Sequence, residues 1–151
     1  MPRGRLLALD MGLRRVGMAI SDELQITIRA LPPLSRTNWK HVLRAVADTL
    51  ESFDACALVL GLPLRLDGSE GEAAAEARRL ARNFGRSLRV PVYLQDERLT
   101  TQAAEEGLRA EGYDALRRIE RLDSEAAAII LRDFIAGQDR TNPGTHNRTE
   151  T

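Results

Sequence analysis

The sequence predicts an α/β domain built on a mixed five-stranded sheet, an antiparallel three-strand meander beside parallel strands, flanked by helices. Three observations predict it. Three short strand-like runs with brief links fill the first 31 residues. From Trp39 onward, helical stripes alternate with short apolar runs, the pattern of strand-helix-strand units. The chain of 151 residues is 43% hydrophobic, enough for one core of ordinary domain size, with no internal repeat.

The elements follow in order. Arg5 to Asp10 is an apolar run that reads as a strand buried on both faces. Met11 to Arg14 turns the chain. Arg15 to Ser21 alternates large Val16, Met18 and Ile20 with small Gly17, Ala19 and Ser21, a second strand packed closely on one face. A third strand is expected from Gln25 to Leu31, stopped by Pro32 and Pro33. Trp39, Val42, Leu43, Val46, Leu50 and Phe53 form a helical stripe, capped by Thr37 or Asn38. Ala55 to Leu62 is the fourth strand. Ser69 with Glu72 reads as a capping box for a helix bearing Ala77, Leu80, Ala81, Phe84 and Leu88. Val90 to Gln95 is the fifth strand. Thr100 or Thr101 can cap a third helix ending near Gly112, and a last helix runs from about Leu122 to Ile135 and stops at Gly137. The domain is therefore expected to span 1–137, with 138–151 a disordered polar tail.

The formal net charge is zero, which argues against binding nucleic acid by bulk electrostatics alone. The first forty residues nevertheless carry seven Arg or Lys against three acids, so one face can still be positive. Cys56 is the single cysteine and lies in an apolar run, the setting of an inert thiol rather than a nucleophile. No apolar run is long enough to span a membrane, and the apolar run near the N-terminus is too short for a signal peptide. A cytoplasmic protein with no membrane partner is expected.

Three acids carry the candidate chemistry. Asp10 ends a buried strand ahead of a turn containing Gly12, and ligands bind at the carboxyl ends of strands in open α/β sheets. Taken alone, it reads as a polar turn residue. Asp96, Glu97 and Arg98 end the fifth strand; alone, acids there serve an adjoining helix start. Asp123 shares a helical stripe with Ala127, Ile130 and Phe134, a costly place for a carboxylate unless it is paired or bound to metal. A first-turn acid favoured by the helix dipole is the plainer alternative. Together, three carboxylates without histidine suit Mg²⁺ or Mn²⁺ rather than zinc. Carboxylate-held cations are what phosphodiester hydrolysis needs, to supply a nucleophilic water and to stabilise the leaving oxygen. Arg14 and Arg15 suit a phosphate clamp, or a solvated turn. The segment from Gly61 to Glu70, with Arg65, is either a strand-to-helix connection or a substrate loop.

Other chemistries find little support. His41 lies in an amphipathic helix and His146 in the tail, so neither builds a nucleophilic triad. There is no Walker-type or dinucleotide-binding glycine pattern. A sugar-kinase-like ATPase also starts from strand-Asp-x-Gly, but it needs two copies of such a fold. A non-catalytic RNA-binding protein is the remaining rival, and the complete acidic set favours an enzyme.

The motifs together resemble the bacterial YqgF/RuvX family of pre-16S rRNA nucleases and Holliday-junction resolvase-like proteins, in order over about residues 5–136. Leu9-Asp10-Met11-Gly12 continues through Arg14-Arg15-Val16-Gly17 to Ser21-Asp22. Gly61-Leu62-Pro63-Leu64 is followed by Asp67-Gly68. Asp96-Glu97-Arg98-Leu99-Thr100-Thr101 forms the third motif, and Leu122-Asp123-Ser124 with Ala126-Ala127 the fourth. Leu13, Arg65 and Glu125 depart from the residues usual there. The resemblance implies an RNase H-like fold, divalent-metal nuclease chemistry and a role in maturing the 5′ end of ribosomal RNA, with branched DNA as the alternative substrate. It implies Asp10, Glu97 and Asp123 as catalytic metal ligands. Arg14, Arg15, Arg65 and Arg98 are then the expected substrate contacts. Adjacent side chains at a strand end point to opposite faces, so only one of Asp96 and Glu97 can face Asp10; the resemblance selects Glu97. A resolvase cuts two strands and would work as a homodimer.

Overall fold

The computed structural model describes residues 2–97, 115–140 and 147–149. Strands β1 (Leu6–Met11), β2 (Arg15–Ser21) and β3 (Ile28–Ser35) are followed by helix α1 (Trp39–Ser52), β4 (Ala57–Leu62), α2 (Glu72–Ser87) and β5 (Val92–Asp96). A long helix α3 (Ala115–Arg140) and a short strand β6 (Asn147–Thr149) complete the described elements. The sheet order is β3-β2-β1-β4-β5-β6. The meander β1-β2-β3 is antiparallel, and β4 and β5 run parallel to β1.

The central strands are buried on both faces, which is why they read as unbroken apolar runs. Leu7, Leu9, Leu58 and Leu60 pack with Val42, Val46 and Leu50 of α1 and Leu80, Ala81 and Phe84 of α2. The alternate residues Leu6, Ala8, Ala57 and Val59 pack with Ala127, Ile130, Leu131 and Phe134 of α3. Small residues on that second face bring α3 close to the sheet. Helix α3 crosses it obliquely. Ser124 Oγ donates to the Leu31 carbonyl on β3 at 2.6 Å, whereas Phe134 meets Tyr93 of β5 with ring centroids 5.4 Å apart.

Several boundaries differ from the sequence expectation, each for a physical reason. Pro32 and Pro33 lie within β3 instead of ending it. β3 is an edge strand and its pairing slips beside them, with Val16 opposite Leu34 but Met18 opposite Leu31, so the missing N–H groups cost no ladder bonds. The strand starts at Ile28 because residues 22–27 form a turn, in which Asp22 Oδ1 accepts from the Ile26 and Thr27 amides at 2.7 and 3.0 Å. The capping box at Ser69 and Glu72 does not form. Gly71 is the N-cap of α2 and no side chain caps it. Ser69 is held in the preceding loop, its amide donating to Asp67 Oδ1 at 2.8 Å and its Oγ accepting from Arg65. At α1 the expected cap is present, Asn38 Oδ1 accepting from the His41 amide at 2.9 Å.

Helix α3 starts before Leu122 and continues through Gly137 to Arg140. A helical glycine costs only about 1 kcal/mol relative to alanine, which the long packed helix offsets. The segment expected as a polar tail from residue 138 thus contributes its first residues to α3. Its residues 147–149 add a sixth strand to the five expected, antiparallel to β5. Edge pairing uses backbone groups, so a polar stretch can supply it without an apolar pattern. The helix expected between Thr100 and Gly112 lies outside the described residues. Cys56 is half-buried, and burial pushes its thiol up from the usual range, in keeping with an inert role. No helix among the described residues is long and apolar enough to cross a membrane.

Candidate active site

The carboxyl ends of β1, β4 and β5 meet on the α3 face of the sheet. Asp10 follows Leu6 and Ala8 at two-residue spacing and shares their face. Glu97 follows Tyr93 in the same way, while Asp96 shares the opposite face with Val92 and Leu94. Strand parity therefore turns Glu97, not its neighbour, toward Asp10. The Glu97 amide donates to the Leu62 carbonyl at 3.2 Å, which fixes the chain just past the end of β5 against β4.

Glycine at 61 makes room for this arrangement. A Cβ on Gly61 would lie 2.7 Å from Glu97 Cδ and 2.7 Å from Ile130 Cδ1, closer still to Glu97 Oε2. The Glu97 carboxyl therefore rests directly on the backbone of β4, beside the α3 core. Gly12 has a comparable role in the β1–β2 turn. Its amide donates to the Arg15 carbonyl at 2.9 Å, and a Cβ would lie 2.7 Å from that oxygen. The tight turn leaves Leu13 95% exposed at its tip, beside exposed Arg14.

Burial, first, and then the Asp10 charge and a hydrogen bond with Asp10 push Glu97 up to about 8, with a smaller contribution from Asp96. The two carboxyls thus hold a proton between them near neutral pH. Glu97 Oε2 is buried and has no hydrogen-bond partner among the described residues. Carboxyls drawn together, with a buried oxygen lacking a donor, are costly without a cation and fit one of hard, oxygen-preferring type. No group of three potential metal-ligating side chains occurs among the described residues.

The backbone of Asp123 lies in α3, next to Ser124, four residues before Ala127 and seven before Ile130. Between Ser124 over β3 and Ile130 beside Gly61 the helix crosses β2 and β1, the latter carrying Asp10. The side chain of Asp123 is outside the described residues, as is Arg98 altogether.

The structure brings Asp10 and Glu97 together and sets Arg14 on the adjoining turn and Arg15 at the start of β2. Arg65 is folded onto its own loop. It donates to Ser69 Oγ at 3.3 Å and the Glu70 carbonyl at 3.4 Å, and its guanidinium packs where a Cβ on Gly71 would stand. One residue the sequence reading missed is Arg36. Its Nη1 donates to the Gly12 carbonyl at 2.8 Å and its amide to the Arg14 carbonyl at 2.8 Å, pinning the turn that follows Asp10. An isolated arginine after a double proline carries no local signal of that contact.

The chain is similar to known proteins over nearly its whole length. The family model described as "RuvX: Holliday junction resolvase" matches residues 4–137. A protein of Anaeromyxobacter sp. (strain Fw109-5) named "Putative pre-16S rRNA nuclease" is 41% identical over 134 residues, 89% of this chain and 98% of its own length. A protein of the same name from Syntrophus aciditrophicus is 38% identical over 131 residues, 87% of each chain. The structure of T. thermophilus RuvC in complex with a Holliday junction substrate superimposes with a TM-score of 0.52 at 18% identity, covering 97% of this chain and 99% of that one. That likeness establishes a RuvC-type, RNase H-like fold. With the family match over nearly the whole domain and relatives near 40% identity along most of their length, the chain belongs to the RuvX family.

Proposed function

We propose that the chain is a divalent-metal-dependent nuclease that trims precursor 16S rRNA at its 5′ end, with Asp10, Glu97 and Asp123 holding Mg²⁺ or Mn²⁺. Membership of the RuvX family makes it a phosphodiester-hydrolysing enzyme. The observation that carries the metal reading is the close Asp10–Glu97 carboxyl pair, with the buried Glu97 Oε2 lacking a hydrogen-bond partner among the described residues. Bound there, a divalent cation supplies a nucleophilic water and stabilises the leaving oxygen.

The protein's own groups do the rest. Asp10 and Glu97, once deprotonated, present an all-oxygen site at the sheet edge. Gly61 lets Glu97 approach, and the surrounding core from Ile130 to Val59 keeps its geometry fixed. Arg14 and Arg15 meet the phosphate backbone as it leaves the site; Arg98, next in sequence to Glu97, and Arg65, once released from its loop, are the further substrate contacts of this reading. Such a reaction belongs in the cytoplasm, where ribosomal precursors are matured.

The family description favours one second reading, a resolvase acting on branched DNA. Cutting two strands of a junction then requires two copies of the chain. Purified protein incubated with precursor rRNA and with four-way DNA junctions, each with Mg²⁺, Mn²⁺ or chelator, separates the readings. Metal-dependent cleavage of the RNA, lost in Asp10→Asn, is expected. Cleavage of junctions alone selects the resolvase, and binding to RNA without cleavage selects an assembly factor.

A further inference from the structure

The α1/α2 face carries a cavity of about 210 Å³ that the carboxyl site does not use. Its lining includes Met11, Arg36, Trp39, Arg79 and Asn83. Met11 directly follows Asp10 on β1, so the cavity and the acids lie on opposite faces of the same strand end. The turn with exposed Leu13 and Arg14 separates them. Arg36 joins the two sides, lining the cavity while holding the Gly12 carbonyl at 2.8 Å.

The lining has the chemistry of a nucleotide site. Trp39 offers an aromatic surface held in place by Phe84, ring centroids 4.7 Å apart. Single-stranded nucleic acids use such platforms because any base stacks on them. Arg79 is bound to Glu76 at 2.6 Å and Arg36 approaches the same carboxylate at 3.7 Å. Two guanidiniums share one acid, so the cluster keeps a net positive charge for a phosphate. Arg79 keeps 54% of its side chain exposed, and Asn83 adds an amide that can bond a base edge or sugar.

We infer that this cavity binds a nucleotide of a single-stranded substrate segment, reached by the strand after it passes from the acids over the β1–β2 turn. The inference rests on the nuclease reading and narrows it. Stacking on Trp39 needs an unstacked base, which a flanking single strand supplies and a duplex arm does not. Arg79 contacts phosphate, Trp39 stacks the base and Arg36 connects the occupied cavity to the turn behind Asp10.

Trp39 is the chain's one tryptophan and reports directly on the cavity. The test uses full-length Asp10→Asn protein, to prevent cleavage, titrated with a fluorescently labelled single-stranded RNA oligonucleotide. Anisotropy of the label reports total binding and Trp39 emission reports the cavity. Saturable change in both, with one affinity, is expected. Adding Arg79→Ala should weaken binding and lower the slope of log K against log salt by about 0.7, one phosphate contact on a single strand. A blunt duplex should compete poorly. Anisotropy that saturates while Trp39 emission and the Arg79→Ala salt slope stay unchanged overturns the inference but leaves the nuclease reading intact. Equal binding of duplex, or quenching by a nucleoside monophosphate but not by the oligonucleotide, also overturns it. If no RNA binds and wild-type protein cuts no RNA in the cleavage assay, the nuclease reading fails and the inference with it.

Discussion

Replacing Glu97 with glutamine should stabilise the metal-free protein by an amount that grows as pH rises from 4.5 and is complete above about 8. In the folded state burial and Asp10 raise Glu97 from 4.5 to about 8. Below pH 4.5 both folded and unfolded chains carry the proton, so the group makes no difference. Between 4.5 and 8 the unfolded chain has released a proton that the folded chain retains, so stability falls as pH rises. Above 8 the full cost of an ionised, buried Glu97 beside Asp10 is present. At ~1.36 kcal/mol per pH unit the interval from 4.5 to 8 corresponds to at most about 5 kcal/mol. Glutamine keeps the shape and can donate to Asp10 as the protonated acid does. Wild type and Glu97→Gln should therefore unfold at similar urea concentrations at pH 5 in chelator. At pH 8.5 the variant should be the more stable by several kcal/mol. Saturating Mg²⁺ should restore the wild type at pH 8.5, since binding to the native state stabilises it, and leave the variant nearly unchanged. If the difference between the two proteins is the same at pH 5 and pH 8.5, the carboxyl pair does not exist as described.

Gly61→Ala should be more damaging than its one methyl suggests, because the Cβ meets Glu97 and Ile130 at 2.7 Å. A loss of roughly 1–3 kcal/mol in chemical unfolding is expected, with metal-dependent cleavage falling further than stability does. Asp123→Asn should fold at least as well as wild type in metal-free buffer, by roughly 0.5–2 kcal/mol, and cut little or nothing; strong destabilisation without metal would make Asp123 a structural acid. Phe134→Ala removes a side chain that is 1% exposed and packed on Tyr93. It should cost about 3–5 kcal/mol in a urea melt, and a smaller loss would show that α3 repacks freely over β5.

The sheet was largely legible because its central strands are buried on both faces and announce themselves as apolar runs. Leu6 to Leu9 and Leu58 to Leu60 needed no partner to be recognised. Pro32 and Pro33 misled because the sequence does not say which strand lies at an edge, where prolines are tolerated. Ser69 looked like a cap because its spacing to Glu72 is right, yet Asp67 and Arg65 claim it first. The amino-terminal part of α3 was missed because Arg117, Arg118, Glu120 and Arg121 leave its apolar stripe thin. At the site, strand parity told only that one of Asp96 and Glu97 could face Asp10, and the family resemblance chose Glu97. What Gly61 does for Glu97, and what Arg36 does for the turn at Gly12, are contacts between residues far apart in sequence and left no local trace.

The prolines of β3 also bear on how copies of this chain can meet. A bare edge strand invites a second sheet to continue its ladder, the usual route to unwanted association. Here that edge carries two residues without an N–H and a slipped register beside them. At the far side of the sheet, β6 is only three residues long. Among the described residues, neither border offers a second sheet a long, uninterrupted run of donors and acceptors. A junction-cutting pair of subunits would have to meet through helices or loops, leaving the two sheets separate.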